Sequence, residues 1–449
     1  MITHSALLTD LYQITMLQAY FDQQMEQTAV FELFVRKLPA CRNFLVAAGL
    51  EQALDYLENL HFTAPELDWL EKTGRFSQQF IAYLEQFRFR GDVHAMPEGT
   101  VFFANEPILR VTAPLPQAQL VETCLINLLH LQTLIASKAA RMVLAAPGKL
   151  LINFGLRRAH GTEAGLLAAR AGYLAGLSGS SNVLAGMLYE LPIYGTMAHS
   201  FIQAHDDEME AFAHFAASQP NNVVFLLDTY DTEAAAQQLV TLAPKLEGIT
   251  IQGVRLDSGD LAEHARKVRR ILDEGGLHQV RILASSNLDE YALQKFVVEG
   301  APMDGFGIGS RLDTSADAPY LDCVYKLQEY AGKPRLKRSE GKATWPGRKQ
   351  VYRNYAPDGS LAYDLLTLED APPVLGEPLL QPVMRGGQRL LPTRPLAELR
   401  QYAALERTRL PETWRSLEEA PAYPVKIAQV LADLAMSIHA KPSESPRLE

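Results

Sequence analysis

Between residues 131 and 330 the chain repeats one pattern: a short apolar run, a polar loop, then a helical stretch. Leu150–Phe154 runs into a polar loop and a helix through Leu166 and Ala169. Val223–Leu227 leads to Asp228–Asp231 and a helix over Glu233–Leu242. Gly253–Leu256 leads to Asp257–Asp260 and a helix over Leu261–Leu272. Val280–Ala284 leads to Ser285–Asn287 and a helix over Leu288–Val298, and Gly305–Gly309 follows. Pro192–Ala198 is a further strand-like run, after a helix that Ser181 or Asn182 caps. Short continuous apolar runs alternating with helices imply a parallel sheet buried on both faces. Such a sheet is either open or rolled into a barrel. The repeated placement of polar residues just after strands favours a barrel, whose catalytic rim lies at those ends.

The flanks lack this pattern. In residues 1–130, Leu8–Phe21 is expected to be a helix, with Leu11, Ile14, Leu17 and Gln18 on one face and Thr9 or Asp10 as its cap. Ala29–Val35 alternates like a strand. Leu50–Leu57 and Phe76–Phe87 read as helices, and Gly91–Val111 as short antiparallel strands. In residues 331–449, Ala331–Arg353 reads as twisted strands and Pro424–Met436 as an amphipathic helix, and 441–449 as a disordered tail. The domain reading is therefore 1–130, 131–330 and 331–449.

Composition narrows the function. The formal net charge is −10, and the main basic runs are Lys333–Arg338 and Arg348–Lys349, so no basic face for nucleic acid is expected. The three cysteines, Cys41, Cys124 and Cys323, are far apart and form no C-x-x-C pair. That argues against a disulfide framework and a thiolate zinc site, and fits a reducing cytoplasm. The N-terminus has no secretory pattern. The best membrane candidate, Leu125–Ala136, is interrupted by Asn127, His130 and Gln132.

Five loops on the expected rim carry chemistry. Ala284–Glu290 ends a strand and opens a helix; Asn287 with Glu290 three residues on has the capping-box pattern, and free N–H groups there suit an anion. One unit later, Gly305-Phe-Gly-Ile-Gly-Ser310 lets backbone approach a phosphate. Its spacing is not the dinucleotide fingerprint, and no clear helix start follows it. Alone, each loop reads as ordinary capping or a glycine turn; as consecutive loops late in a barrel they match its usual phosphate site. Arg255-Leu-Asp257-Ser-Gly-Asp260 places two carboxylates after a strand. Asp260 is read as a helix cap and Asp257 as a group for ribose hydroxyls or for a metal carried by a pyrophosphate. Arg157 and Arg158 follow a buried strand, where they suit a carboxylate or phosphate. His199, in Gly195-Thr-Met-Ala-His199-Ser200, would alone be a structural histidine; it gains weight from sharing the rim.

These motifs, in this order, resemble the nicotinate phosphoribosyltransferase family. The resemblance begins at Thr9-Asp-Leu-Tyr12-Gln13 and continues through residues 154–161, 195–200, 255–261, 285–290 and 305–312, with Lys337–Lys349 as a late segment. It covers about residues 8–355. It implies a type II phosphoribosyltransferase: an irregular (β/α) barrel with a smaller α/β sandwich domain formed by the N-terminal part and C-terminal segments. It implies transfer of phosphoribose from phosphoribosyl pyrophosphate to nicotinate, with Mg²⁺ carried by the diphosphate and ATP as co-substrate. By resemblance, Tyr12 stacks on the pyridine ring across a homodimer with shared active sites. Arg157, Arg158 and Ser200 meet the carboxylate, and Arg255 and Asp257 hold the sugar diphosphate. Ser286, Asn287, Gly307, Gly309 and Ser310 hold the 5-phosphate, and His199 is the histidine phosphorylated by ATP. The same fold with nicotinamide or quinolinate is the nearest rival, and Arg158 with Ser200 suits a single carboxylate better. A non-catalytic sensor of a phosphorylated ligand, or a barrel aldolase or isomerase, fits less well: Asp257 and His199 are both present, and no lysine stands at a strand end of the barrel segment.

Overall fold

The computed structural model describes residues 5–337, 344–372 and 374–440. The expected tail 441–449 and part of the late segment at 338–343 lie outside the described residues. The chain divides into two compact units, one of residues 1–134 and 320–449, the other of residues 135–319.

The second unit holds a six-stranded sheet in which every ladder is parallel. From one edge the strands are Gly179–Ser180, Leu150–Asn153, Gly305–Ile308, Arg281–Ser286, Ile251–Leu256 and Val223–Leu226. Helices connect most of them, as parallel strands require. The apolar runs have the expected burial: Val223–Leu226 and Gly305–Ile308 are buried throughout. Among the described residues the ladder is curled but not closed. Pro192–Ala198, read from sequence as strand-like, forms only an isolated bridge between Ile193 and Ser180. It is held instead by single bonds, Asn222 Nδ2 to the Gly195 carbonyl at 3.0 Å and Arg255 Nη2 to the Met197 carbonyl at 3.2 Å. Pro192 and Gly195 in this stretch give it little strand propensity.

The helix caps are mostly where side-chain chemistry puts them. Asn182, Asp231 and Asp260 each accept a backbone N–H at an N-terminus. Asn287 does not. The helix after Arg281–Ser286 begins at Glu290, and Asp289 is its cap. Glu290 is not a capping-box partner either: it is fully buried, with Lys138 Nζ at 2.6 Å and Arg141 Nε at 3.0 Å. Gly309, in turn, is followed by a one-turn helix, Ser310–Asp313, that the sequence did not announce.

The first unit carries three separate sheets. The largest, mainly antiparallel, has seven strands in the order Lys333–Pro334, Cys323–Tyr330, Thr28–Val35, Pro107–Pro114, Asp92–Ala95, Gln381–Arg385 and Gln388–Arg389. A four-stranded sheet and a two-stranded one accompany it. Thr28–Val35, read as a strand from Ala29 on, is buried at every position but the first, so it is a central strand covered on both faces. Buried charges join two of the sheets, with Lys349 Nζ 2.8 Å from Glu32 Oε2. Leu11–Asp22 is a helix with Ile14 and Leu17 buried, but Leu11 is exposed and Asp10 makes no side-chain cap bond. Residues 425–427 form a strand, so the final helix starts at Gln429.

Candidate functional site

Because all six strands of the second unit point the same way, the residues that follow them gather at one end of the sheet. There a cleft of about 620 Å³ opens to solvent. Arg157, Arg158, Arg255, Asp257, Ser286, Asn287, Gly307, Gly309 and Ser310 all line it. These residues span more than 150 positions in sequence, and chain direction alone brings them together.

Two turns form one wall. Leu156–Arg158 is a single 3-10 turn with both arginines exposed. Arg158 Nη1 donates to Ser310 Oγ at 2.9 Å, tying this arginine turn to the turn after Gly305–Ile308. Asn287 Oδ1 accepts from Arg311 Nε at 3.1 Å, tying in the loop after Arg281–Ser286. Gly307 is required by space: a Cβ there would overlap the ring of Phe154. Ser286 ends its strand at φ 155°, a conformation rare for residues with a side chain, so the anion loop begins on strained backbone.

The opposite wall is built on carboxylates. Asp257 Oδ1 accepts from Ser285 Oγ at 2.6 Å, and its N–H donates to Asp228 Oδ2 at 3.0 Å. Ser258 Oγ also donates to Asp228 Oδ2. His199 Nε2 lies 3.8 Å from Asp257 Oδ2, and its Nδ1 is 3.1 Å from Thr229 Oγ1. Imidazole and carboxylate therefore occupy the same end of the sheet. Arg255 reaches the same place from below. Burial lowers its pKa from the usual arginine value, Asp257 and Asp228 oppose that shift, and its Nε has no partner. That Nε is buried, so what Arg255 offers the cleft it lines is its guanidinium charge.

Three expected residues are not among those lining the cleft: His199, next after Ala198 of its lining, Ser200 and Tyr12. Ser200 is exposed in the short helix His199–Gln203. Tyr12 belongs to the first unit, half-exposed at 50%, with its hydroxyl accepting from Gln13 Nε2. Other residues were missed in sequence. Asp228 and Thr229 stand just after a strand, the signal used for Asp257, and were passed over as loop. Ser285 and Arg311 hold Asp257 and Asn287 through contacts between loops, which no local pattern reveals. Among the described residues no three metal-ligating side chains cluster. Asp228 Oδ1 is nevertheless buried and unpartnered next to Asp257. That pair of oxygen donors fits a hard cation brought in by a substrate better than a resident one.

Family models match almost the whole chain. The nicotinate phosphoribosyltransferase N-terminal domain matches residues 7–130, the nicotinate phosphoribosyltransferase family 150–354, and the C-terminal domain 373–435. The chain belongs to the nicotinate phosphoribosyltransferase family. It is 46% identical over 444 residues to nicotinate phosphoribosyltransferase pncB2 of Mycobacterium tuberculosis, covering 98% of this chain and 95% of that one. It is 43% identical over 354 residues to nicotinate phosphoribosyltransferase of Bacillus subtilis, covering 77% and 72%. The crystal structure of human nicotinic acid phosphoribosyltransferase superimposes with a TM-score of 0.87 at 31% identity, over 96% of this chain and 100% of that one. The family resemblance read from the sequence motifs is thereby established. No described helix is long and apolar enough to cross a membrane.

Proposed function

We propose that this protein is a nicotinate phosphoribosyltransferase that forms nicotinate mononucleotide and pyrophosphate from nicotinate and phosphoribosyl pyrophosphate. The observation that carries this reading is the convergence of Arg158, Arg255, Asp257, Asn287 and Ser310 on one cleft in a chain of this family. In this reading the curled sheet is the described part of an irregular (β/α) barrel, and the first unit is the smaller α/β sandwich. The enzyme works in the cytoplasm as a homodimer whose partner supplies Tyr12.

The chemistry follows from where charge develops. The pyridine nitrogen attacks C1 of the ribose, the bond from C1 to the diphosphate oxygen breaks, and pyrophosphate leaves. Positive charge grows on the sugar and negative charge on the departing oxygens. Arg255, which lines the cleft, stabilises the departing oxygens with its guanidinium charge. Asp257, oriented by Ser285, holds the ribose hydroxyls. Arg158 and Arg157 meet the nicotinate carboxylate, and Asn287 with the Gly309–Ser310 turn holds the 5-phosphate. Asp228 and Asp257 are the residues that would hold a Mg²⁺ arriving on the diphosphate, and that ion would neutralise charge on the leaving group.

ATP hydrolysis is coupled through His199, and this makes the enzyme a ligase in type. In the tautomer that carries its proton on Nδ1, beside Thr229 Oγ1, Nε2 keeps the lone pair that attacks the γ-phosphorus of ATP as ADP leaves. The phosphoryl group then adds negative charge and acceptor oxygens at the rim, and its hydrolysis accompanies product formation. The test supplies purified protein with phosphoribosyl pyrophosphate and nicotinate, nicotinamide or quinolinate, with and without ATP. Nicotinate mononucleotide is the expected product, raised by ATP; preference for another pyridine overturns the substrate assignment.

A further inference from the structure

Beneath the arginine turn lies a carboxyl group that the proposed chemistry does not use. Asp313, at the end of the one-turn helix Ser310–Asp313, is only 4% exposed. Asn153 Nδ2 donates to its Oδ1 at 2.8 Å, while Oδ2 is buried with no partner. The same Asn153 accepts the Gly155 N–H on Oδ1 at 2.8 Å. Gly155 rests directly on Asp313: a Cβ added there would overlap the carboxyl carbon and Oδ2. Gly155 and Ser310 both line the cleft. Ser310, three residues before Asp313, accepts from Arg158. The arginine turn and the phosphate turn are thus fastened twice, above by Arg158 to Ser310 and below by Asn153 between Gly155 and Asp313.

Resting on the function proposed above, we propose that Asp313 is a positioning residue for anion binding: as a neutral acid it holds the two turns as one unit, and as a carboxylate it opposes an anion in the cleft above. A buried carboxylate with an unpaired oxygen is costly, so the neutral form is the one this packing fits. Burial pushes the Asp313 acid up to about 7, against the Asn153 bond that lowers it. The elements packed on this helix carry Arg157 and Arg158 on the arginine turn, Glu163 and Arg170 on the helix Thr162–Leu174, and Arg311 on Asp313's own turn. None of these five charges is among the causes of the Asp313 shift. Anion binding should therefore take up part of a proton near neutrality. Reciprocally, the site should weaken as pH rises.

Sulfate is the probe, because its charge is constant across this range. Calorimetry of sulfate binding to full-length protein, in buffers of different ionisation heat, should show proton uptake by wild type and affinity roughly three- to tenfold lower at pH 8 than at pH 6. Asp313→Asn keeps the acceptor for Asn153 and cannot ionise. It should bind like wild type at pH 6 and lose the extra alkaline weakening; any contribution from His199 is common to both proteins. Asp313→Ala, which leaves Asn153 Nδ2 unpaired, should bind weakly at both pH values. Should that variant fail to fold, the asparagine comparison still decides. Absence of sulfate binding, or equal proton uptake in wild type and Asp313→Asn, overturns the inference. Proton-linked sulfate binding by a wild type that makes no nicotinate mononucleotide would support it and overturn the proposed reaction instead.

Discussion

His199 presents its two ring nitrogens to different partners, and that separates two properties a single alanine variant would merge. Thr229 Oγ1 holds Nδ1 at 3.1 Å, and Nε2 faces Asp257 across 3.8 Å. His199→Ala should retain measurable but reduced transfer and lose both ATP stimulation and ATPase activity, read by product formation with and without ATP. Thr229→Val removes the hydroxyl while keeping the volume, so it should slow phosphohistidine formation without changing the KM for nicotinate. Equal ATP stimulation in wild type and His199→Ala would remove this residue from the coupling. Arg158 is charged and exposed, and its bond to Ser310 Oγ leaves other guanidinium N–H groups for a carboxylate. Arg158→Ala should raise the nicotinate KM more than that of the sugar diphosphate. Loss of one charge-assisted bond, about 1.5–3 kcal/mol, corresponds to roughly ten- to 150-fold. Equal effects on the two KM values would instead make Arg158 part of the phosphate turn.

Among elements, the helix Glu290–Val298 shows how the fold fixes a loop that must stay ordered without ligand. Its first residue is buried between Lys138 and Arg141, so the loop from Ser285 to Asp289 is held at its far end by an ion pair shielded from water. Lys138 also pairs with the part-exposed Asp317 at 2.7 Å, and without Lys138 the buried Glu290 keeps Arg141. Lys138→Met should therefore destabilise the protein by about 1.5–3 kcal/mol, the loss of a charge-assisted bond, measured by denaturant unfolding, whereas a solvated pair such as Lys267 with Glu263 would contribute under about 1 kcal/mol. The sequence shows the helix but assigns it the wrong cap. Asn287 and Glu290 have the spacing of a capping box, and what overrides that local preference is the pair of cations on Lys138 and Arg141, some 150 residues earlier. The strands of the second unit, by contrast, are legible because continuous apolar runs bounded by polar loops have few other solutions. Asp257, His199, Arg255 and the glycine turn are legible for the same reason, since each follows a strand or lies in a motif of unusual composition. Asp313 is not, because its position beneath Gly155 depends on a ladder between Leu150–Asn153 and Gly305–Ile308 that only the folded chain supplies. Its stability consequence has a definite sign. Its folded pKa of about 7 lies above the ordinary value of 3.8, so the native state holds a proton that the unfolded chain has lost. This contribution favours folding less and less as pH rises through that window, and Asp313→Asn should flatten the slope in melting temperature.

For the whole molecule, the open question is how many chains make one active site. Tyr12 lies in the first unit, half-exposed beside the exposed Leu8 and Leu11, and is not among the residues that line the cleft of the second unit. Large apolar side chains clustered on a surface commonly mark a place where another chain sits. If the partner copy supplies Tyr12 to the pyridine ring, the two residue sets belong to complementary halves of a two-fold assembly. Tyr12→Ala and Arg158→Ala should then each be nearly inactive alone at limiting nicotinate. In a hybrid dimer, one site takes its tyrosine and its arginine from the two unmutated positions, while the other receives both lesions. Random re-pairing of equal amounts makes half of the dimers hybrids, each with one intact site of two, so activity should recover to about a quarter of wild type. The measurement is mixing after mild dissociation, with each variant re-paired with itself as control. Recovery well above the mean of the two controls requires a site assembled from two chains. Activity equal to that mean would place Tyr12 outside the site of its neighbour and leave the cleft of the second unit to act with residues of its own chain.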